Sequence, residues 1–238
     1  MLPPYNLDTL QNLNSSSAYY KQHASSESMR EMALKQVAES VGMQAGLAHE
    51  SKVINVHLQQ HAQQMDTVFN FNQLLYQHYL LPPVIIQADN QLKVSDDGRT
   101  IRAGGNSYRI IKQVQFVTVP PTWRDYLWMS YQAPGLPDKA ILPKNDAEQK
   151  IWAYNIVKGW AEGIQQGLNI FKVHMHQLSR DFNGMVLYKR LLAKNMVSPF
   201  YVKSKSLGIT GDKDHITIDD HTMQVTDDPQ FDKSGKLW

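Results

Sequence analysis

Lys158-Gly159-Trp160-Ala161-Glu162-Gly163-Ile164-Gln165-Gln166-Gly167 sets three glycines four residues apart inside a proline-free helical pattern. That pattern opens at Asn145, a good N-cap with Glu148 three residues on, and runs past Leu178. A glycine in a helix interior costs roughly 1 kcal/mol relative to alanine, so three in register ask for compensation. Close approach of a second backbone supplies it. Ala38, Gly42 and Gly46 repeat the same spacing in the first helical stretch, and small residues at this interval let two helices meet with little bulk between them. The sequence predicts a tight crossing near Gly42 and Gly163, or else a ladder that faces a different protein chain.

The first helical stretch spans residues 28–76, as one very long helix or two joined by a bend. Ser28 and Glu31 have capping-box spacing at its start. Leu34, Val41, Ala45 and Ala48 share one face, while Leu47, Ile54, Leu58, Met65 and Phe69 alternate intervals of seven and four, the seam of a helix packed along its length. In the second stretch, Val157, Ala161, Ile164, Leu168, Phe171 and Met175 keep to a narrow arc and are the expected core face. Asp181, Phe182, Asn183 and Gly184 suggest a bend before helix resumes over 186–194.

Between the helices, residues 84–87, 92–94, 100–102 and 108–119 have strand composition, with Asp97-Gly98 as a hairpin signal. Beyond Pro199, strands are expected over 201–206, 215–218 and 223–226, with Asp219-Asp220 in a turn. The class is α+β, with long packed helices and a small antiparallel sheet. The boundaries read as a flexible linker over 1–27, a single domain over 28–226 and a polar tail over 227–238.

Val119-Pro120-Pro121-Thr122-Trp123-Arg124-Asp125-Tyr126-Leu127 carries the densest run of unusual residues. Its prolines hold the chain extended. Thr122 and Asp125 then have capping-box spacing, so a short helix starts near Trp123. Its aromatics serve either as wedges at the edge of the core or as anchors for a partner. Trp123, Arg124, Tyr126, Trp128 and Tyr131, followed by Phe200 and Tyr201, are the candidate partner-binding residues.

Chemistry is sparse. The chain of 238 residues has no cysteine, which removes disulfides, thiolate metal sites and cysteine nucleophiles. A net charge of +2, from 24 basic and 22 acidic residues without a long basic run, gives nucleic-acid binding no support. No phosphate loop, dinucleotide fingerprint or nucleophile elbow is present. His57 and His61 sit four apart but lack the intervening glutamate of a zinc-protease helix, and His174 and His176 point to different faces. Asp212, Asp214, Asp219 and Asp220 read as a solvated acidic turn, without the spacing of a calcium loop. The expectation is a protein without metal, cofactor or catalytic residue. A periplasmic enzyme acting on cell wall and a ligand-binding module are the rival classes.

Taken in order, Gln44-Ala45-Gly46-Leu47, Phe69-Asn70-Phe71, Leu81-Pro82-Pro83-Val84-Ile85, Tyr108-Arg109-Ile110 and Pro121-Thr122-Trp123-Arg124-Asp125-Tyr126-Leu127 resemble the DotC proteins of type IVB secretion and conjugation systems. The likeness covers residues 28–202; the region after residue 204 does not match. It implies a structural lipoprotein of the outer-membrane core of a Dot/Icm-like apparatus, on the periplasmic face of the outer membrane. There it would work with DotD-like and DotH-like partners. The family's lipid-bearing cysteine is missing, and residues 1–25 lack the charged start and apolar stretch of a signal peptide. Either this chain begins after the lipid site or this member is not lipidated; the polar stretch at its start, suited to a tether between anchor and folded domain, favours the first.

Overall fold

The computed structural model describes residues 26–232 and residue 234. It is an α+β protein with helices α1 (Ser26–Gln60), α2 (Ala62–Val68), α3 (Trp123–Leu127) and α4 (Asp146–Ala193). The strands are β1 (Leu80–Leu81), β2 (Val84–Val94), β3 (Ile101–Lys112), β4 (Gln115–Phe116), β5 (Tyr201–Gly211) and β6 (Ile216–Asp227). Where the sequence suggests one domain over 28–226, the chain divides into two compact units, each built from two segments. Among the described residues the first comprises 26–60 and 129–171, the second 61–128 and 172–232. Residues 1–25 of the expected linker lie outside the described residues, and α1 already includes residues 26 and 27.

In the first unit, α1 packs against the leading part of α4. Arg30 Nε donates to Glu148 Oε1 at 2.8 Å and Lys158 Nζ to Glu39 Oε1 at 2.9 Å, pairs separated by 118 and 119 residues. A near-constant sequence offset along two helices means that they run parallel. Parallel neighbours need a long return path, and residues 61–145 provide it.

The glycines set the separation of these helices. A Cβ on Gly159 would strike the carbonyl oxygen of Glu39, and one on Gly163 that of Met43, with Leu47 N only 2.8 Å away. From the other side, Gly42 and Gly46 meet the backbone of Ile156 and Trp160. Ala38 is fully buried beside them in sequence. Gly167 is different, because its Cβ would meet only the Glu50 side chain, 3.0 Å away, and Leu47 Cδ1. Contact therefore extends along several turns and is not confined to one crossing near Gly42 and Gly163.

This seam corrects the expected core face of α4. Val157 is 69% exposed and Ala161 is exposed, while Asn155, Gly159, Gly163 and Gly167 form the buried line. Backbone-to-backbone packing wins because turning Val157 inward would hold the helices a side chain apart. The buried polar groups on the seam bond their own helices: Asn155 Nδ2 donates to Ile151 O at 2.7 Å and Ser51 Oγ to Ala48 O at 2.9 Å. Further along α1, the Asn55 side chain donates to Met129 O at 2.6 Å and accepts from Met129 N at 3.2 Å. That amide fixes the start of the extended segment after residue 128.

The second unit holds three separate two-stranded antiparallel sheets, β1 with β4, β2 with β3 and β5 with β6. A buried cluster of Ile85, Tyr188, Leu191, Met196 and Val197 joins the start of β2 to the end of α4. The predicted bend at Asp181–Gly184 is absent, and α4 continues unbroken for 48 residues. Gly184 instead removes a side chain where β2 lies on the helix; a Cβ there would come within 2.8 Å of Ile85 O. Asp181 points into the unit instead of breaking the helix.

Other boundaries also shift. The first helix begins at residue 26, so Ser28 is inside it and not its cap, and the long stretch breaks at His61 into α1, α2 and a 3-10 turn at Phe71–Leu74. Asp219-Asp220 is not the turn between the last strands. Gly208 and Asp219 take positive φ of 73° and 59°, and the β5–β6 register slips around Gly208. The two residues thus mark irregularities inside a longer hairpin, whose turn lies at 212–215. Part of the supposed polar tail is pinned as well: Phe231 bridges Val197, and Asp232 N donates to Met196 O at 3.0 Å. Phe231 gives this segment an apolar group to dock against the buried cluster.

Gly163→Ala is expected to cost about 2 kcal/mol or more, because overpacking outweighs the gain in helix propensity. Gly167→Ala should be close to neutral, since a flexible Glu50 can yield. Urea unfolding of both variants measures the difference.

Candidate partner-binding surface

The prolines at 120 and 121 bring an extended chain to Thr122, whose φ of −117° and ψ of 164° keep it outside α3. Asp125 Oδ2 accepts from Thr122 N at 2.6 Å and Thr122 Oγ1 at 2.8 Å. With its first turn fixed in this way, α3 turns Trp123 and Leu127 inward.

Trp123 is 1% exposed, so its ring is a core wedge and not a partner anchor. A buried indole needs an acceptor, and Asp66 from the end of α2 provides it at 2.6 Å. The same carboxylate accepts from Arg124 Nη1 at 2.7 Å, and the guanidinium lies 4.2 Å from the centre of the Trp123 ring. Arg124 and then Trp123 hold the Asp66 carboxyl below its ordinary range.

Asp181 forms a second polar centre in this unit. It is fully buried and accepts from Lys112 Nζ at 2.6 Å, Arg180 Nε at 2.8 Å and Tyr126 Oη at 3.2 Å. Burial pushes its carboxyl up, but Lys112 and Arg180 outweigh that and hold it below the usual carboxylate range. Tyr126 stacks on Phe71 with ring centres 5.9 Å apart. Burial, followed by the Asp181 charge, pushes its phenol well up. Tyr126 is thus half-buried and committed inward, and Phe200 also packs against the buried cluster, 5.1 Å from the Tyr76 ring.

The outward-facing members of the predicted set are Trp128, 47% exposed, and Tyr201, 58% exposed, in the second unit, and Tyr131 in the first. Arg124 is partly exposed behind its ion pair. Beside α3 runs a groove lined by Lys112, Val117, Val119, Pro121, Tyr126 and Met185. Val119, 74% exposed, is the most accessible large apolar residue there, and sequence reasoning missed it because a single valine in a strand pattern does not mark a surface. Asp66 was legible only as a scattered acid, since its role depends on a contact with residues more than fifty positions away.

His57 and His61 are both exposed. Among the described residues no group of three or more histidine, aspartate or glutamate side chains is placed to hold a metal ion, and no helix is long and apolar enough to cross a membrane. The second unit thus offers a partly aromatic surface, held from within by the buried Asp181 carboxylate and at the outside by the exposed Asp66 carboxylate.

In comparison with known proteins, the family model described as "Type IV secretory system, conjugal DNA-protein transfer" matches residues 28–238. No curated protein matches the chain.

Because the Asp181 carboxyl is depressed in the folded state, its contribution is present at neutral pH and lost as pH falls through the ordinary carboxylate value, about 3.9, toward the depressed one. Asp181→Ala should cost about 1 to 3 kcal/mol at neutral pH, by removing the charged acceptor of Lys112, Arg180 and Tyr126 while the two half-exposed cations stay solvated, and should flatten the acid limb. Urea melts at neutral pH and across the acid range read both effects.

Proposed function

Because this chain belongs to the type IV secretory system family of conjugal DNA-protein transfer, we propose that it is a non-enzymatic structural component of the outer-membrane core of such a system. In this reading it is DotC-like. It sits at the periplasmic face of the outer membrane, held there by a lipid anchor, and it binds DotD-like and DotH-like core proteins to place and hold them. Its partners are proteins and not the transferred DNA.

The family match is the observation that carries the reading. The surface supports it in two ways. Trp128, Tyr131 and Tyr201 expose large aromatic groups of the kind that anchor stable interfaces. Lys112, Asp181 and Tyr126, the closest approach to a reactive constellation in the second unit, spend their polar atoms on one another. The near balance of charge over the chain supports protein partners over a polyanion.

The test is affinity capture of the C-terminally tagged product of the native gene from detergent-solubilised envelopes of its own cells, with mass spectrometry of its N-terminus and companions. Core proteins in the eluate and a lipidated cysteine support the reading, and recovery of an unlipidated protein alone overturns it. Alanine at Trp128, Tyr131 and Tyr201 should cut partner recovery at least about tenfold, as expected for interface anchors, without lowering the melting temperature. Trp123→Ala, by contrast, should unfold or strongly destabilise the second unit, at a cost of about 3 kcal/mol or more.

A further inference from the structure

The second unit carries two long hairpins whose outer edges have no strand neighbour among the described residues, since each sheet contains only two strands. No residue of β5 or β6 is buried. At the far end of this hairpin Ile209, Ile216 and Ile218 are well exposed, and Val94 and Ile101, which face each other across β2 and β3, are exposed likewise. A two-stranded ribbon of this kind is marginal in water, and an open edge is a template for another strand.

The two edges differ in sign. β3 contains Arg102, Arg109 and Lys112 and no acid, with Lys112 already paired to Asp181, whereas β6 contains Asp219, Asp220 and Asp227 and no Lys or Arg. Both strands have 12 residues. Pairing β3 with β3 or β6 with β6 would set like charges across the new ladder, which is unfavourable. Only the unlike pair brings opposite charges together. β5 is also basic, with Lys203 and Lys205, but the ladder it shares with β6 slips at three places, while β2–β3 slips only at Val84, so β3 is the straighter of the two basic edges.

We propose that β3 of one copy of this chain pairs with β6 of another, strand edge to strand edge, so that copies associate head to tail. The contact is heterologous: each copy uses one edge to accept and the other to offer. Such a contact propagates until it closes into a ring or continues as a filament. Main-chain hydrogen bonds supply the attraction, as in strand addition generally, and the charges choose which edges meet. The proposal stands on the two strands and does not depend on the outer-membrane reading.

Two charge variants test it in sedimentation experiments on the purified chain. Arg102→Glu with Arg109→Glu takes β3 from +3 to −1, two reversals of two charges each. Asp220→Lys with Asp227→Lys takes β6 from −3 to +1, again two reversals, at positions that face Gly208 and Tyr201 and not a lysine of β5. The wild-type chain is expected to associate with increasing concentration, and each variant alone to do so about tenfold or more weakly, a change of roughly 1.4 kcal/mol. An equimolar mixture of the two variants should recover association, because each then presents an edge complementary to the other, and that recovery also shows that both fold. A wild-type chain that stays monomeric up to about 200 μM, well above the micromolar range of a specific contact, overturns the proposal. So does association unaffected by either variant, or two weakened variants that do not complement.

Discussion

The first unit depends on a contact between two backbones. Gly159 and Gly163 on α4, with Gly42 and Gly46 on α1, leave no room for a Cβ between the helices. The helix axes are therefore fixed by main-chain surfaces that cannot change rotamer, and the seam tolerates little sideways displacement. Each glycine lowers helix propensity, so the seam is stable only while the two helices remain together. Flanking pairs such as Arg30 with Glu148 lie at the rim. Arg30 and the Lys144 amide hold Glu148 down at about 2, and a surface pair of this kind adds orientation more than stability.

In the second unit the corresponding constraint is polar. Asp181 comes from α4, Lys112 from β3 and Tyr126 from α3, so one buried carboxylate ties together three elements remote in sequence. The Asp66 carboxylate does the same for the end of α2 and α3 through Trp123 and Arg124. Both groups are satisfied by several donors; for the buried Asp181 this is the condition under which a charge fixes a geometry without a large desolvation penalty, while the exposed Asp66 keeps contact with water. Aromatic stacking fills the space between them: Phe71 lies between Tyr126 and Phe182.

What could be read from the sequence follows from the range of each interaction. The Thr122–Asp125 cap, the helix starting at Trp123 and the strand character of 84–94 and 101–112 are local, and the residues that make them are neighbours. The α+β class follows from those patterns. The direction of packing was legible in the glycine spacing, which set Gly42 and Gly163 at a close helix contact, and not in the hydrophobic pattern, which selected Val157 and Ala161 for burial because it scores side chains and is blind to a backbone contact. Asp181 and Gly184 looked like helix breakers for the same reason: one is a buried acceptor and the other a docking point, and neither role shows without the strand that approaches it. Among the aromatics, composition could not separate the inward Trp123 from the outward Trp128, five residues along the same short helix and its cap.

The hairpins set a limit of a different kind on the isolated chain. Fixing the backbone of a residue costs about 1 to 2 kcal/mol in conformational entropy, and a two-stranded ribbon with neither face buried has little hydrophobic gain to set against it. The base of β2–β3 escapes this, since Val84 and Ile85 are buried against α4. Its far end and the whole of β5–β6 do not. Where a core sheet strand would alternate buried and exposed residues, β6 buries none and its half-exposed residues, at 217, 220, 223 and 225, do not alternate, so the pattern that specifies register is weak. The bulges at Gly208 and Asp219 add twist and interrupt pairing within the hairpin. The interactions inside one copy therefore leave little margin for this length of ordered strand. A surface laid against it would add to that margin, and the opposite charges of β3 and β6 are what would select another copy of the chain as that surface.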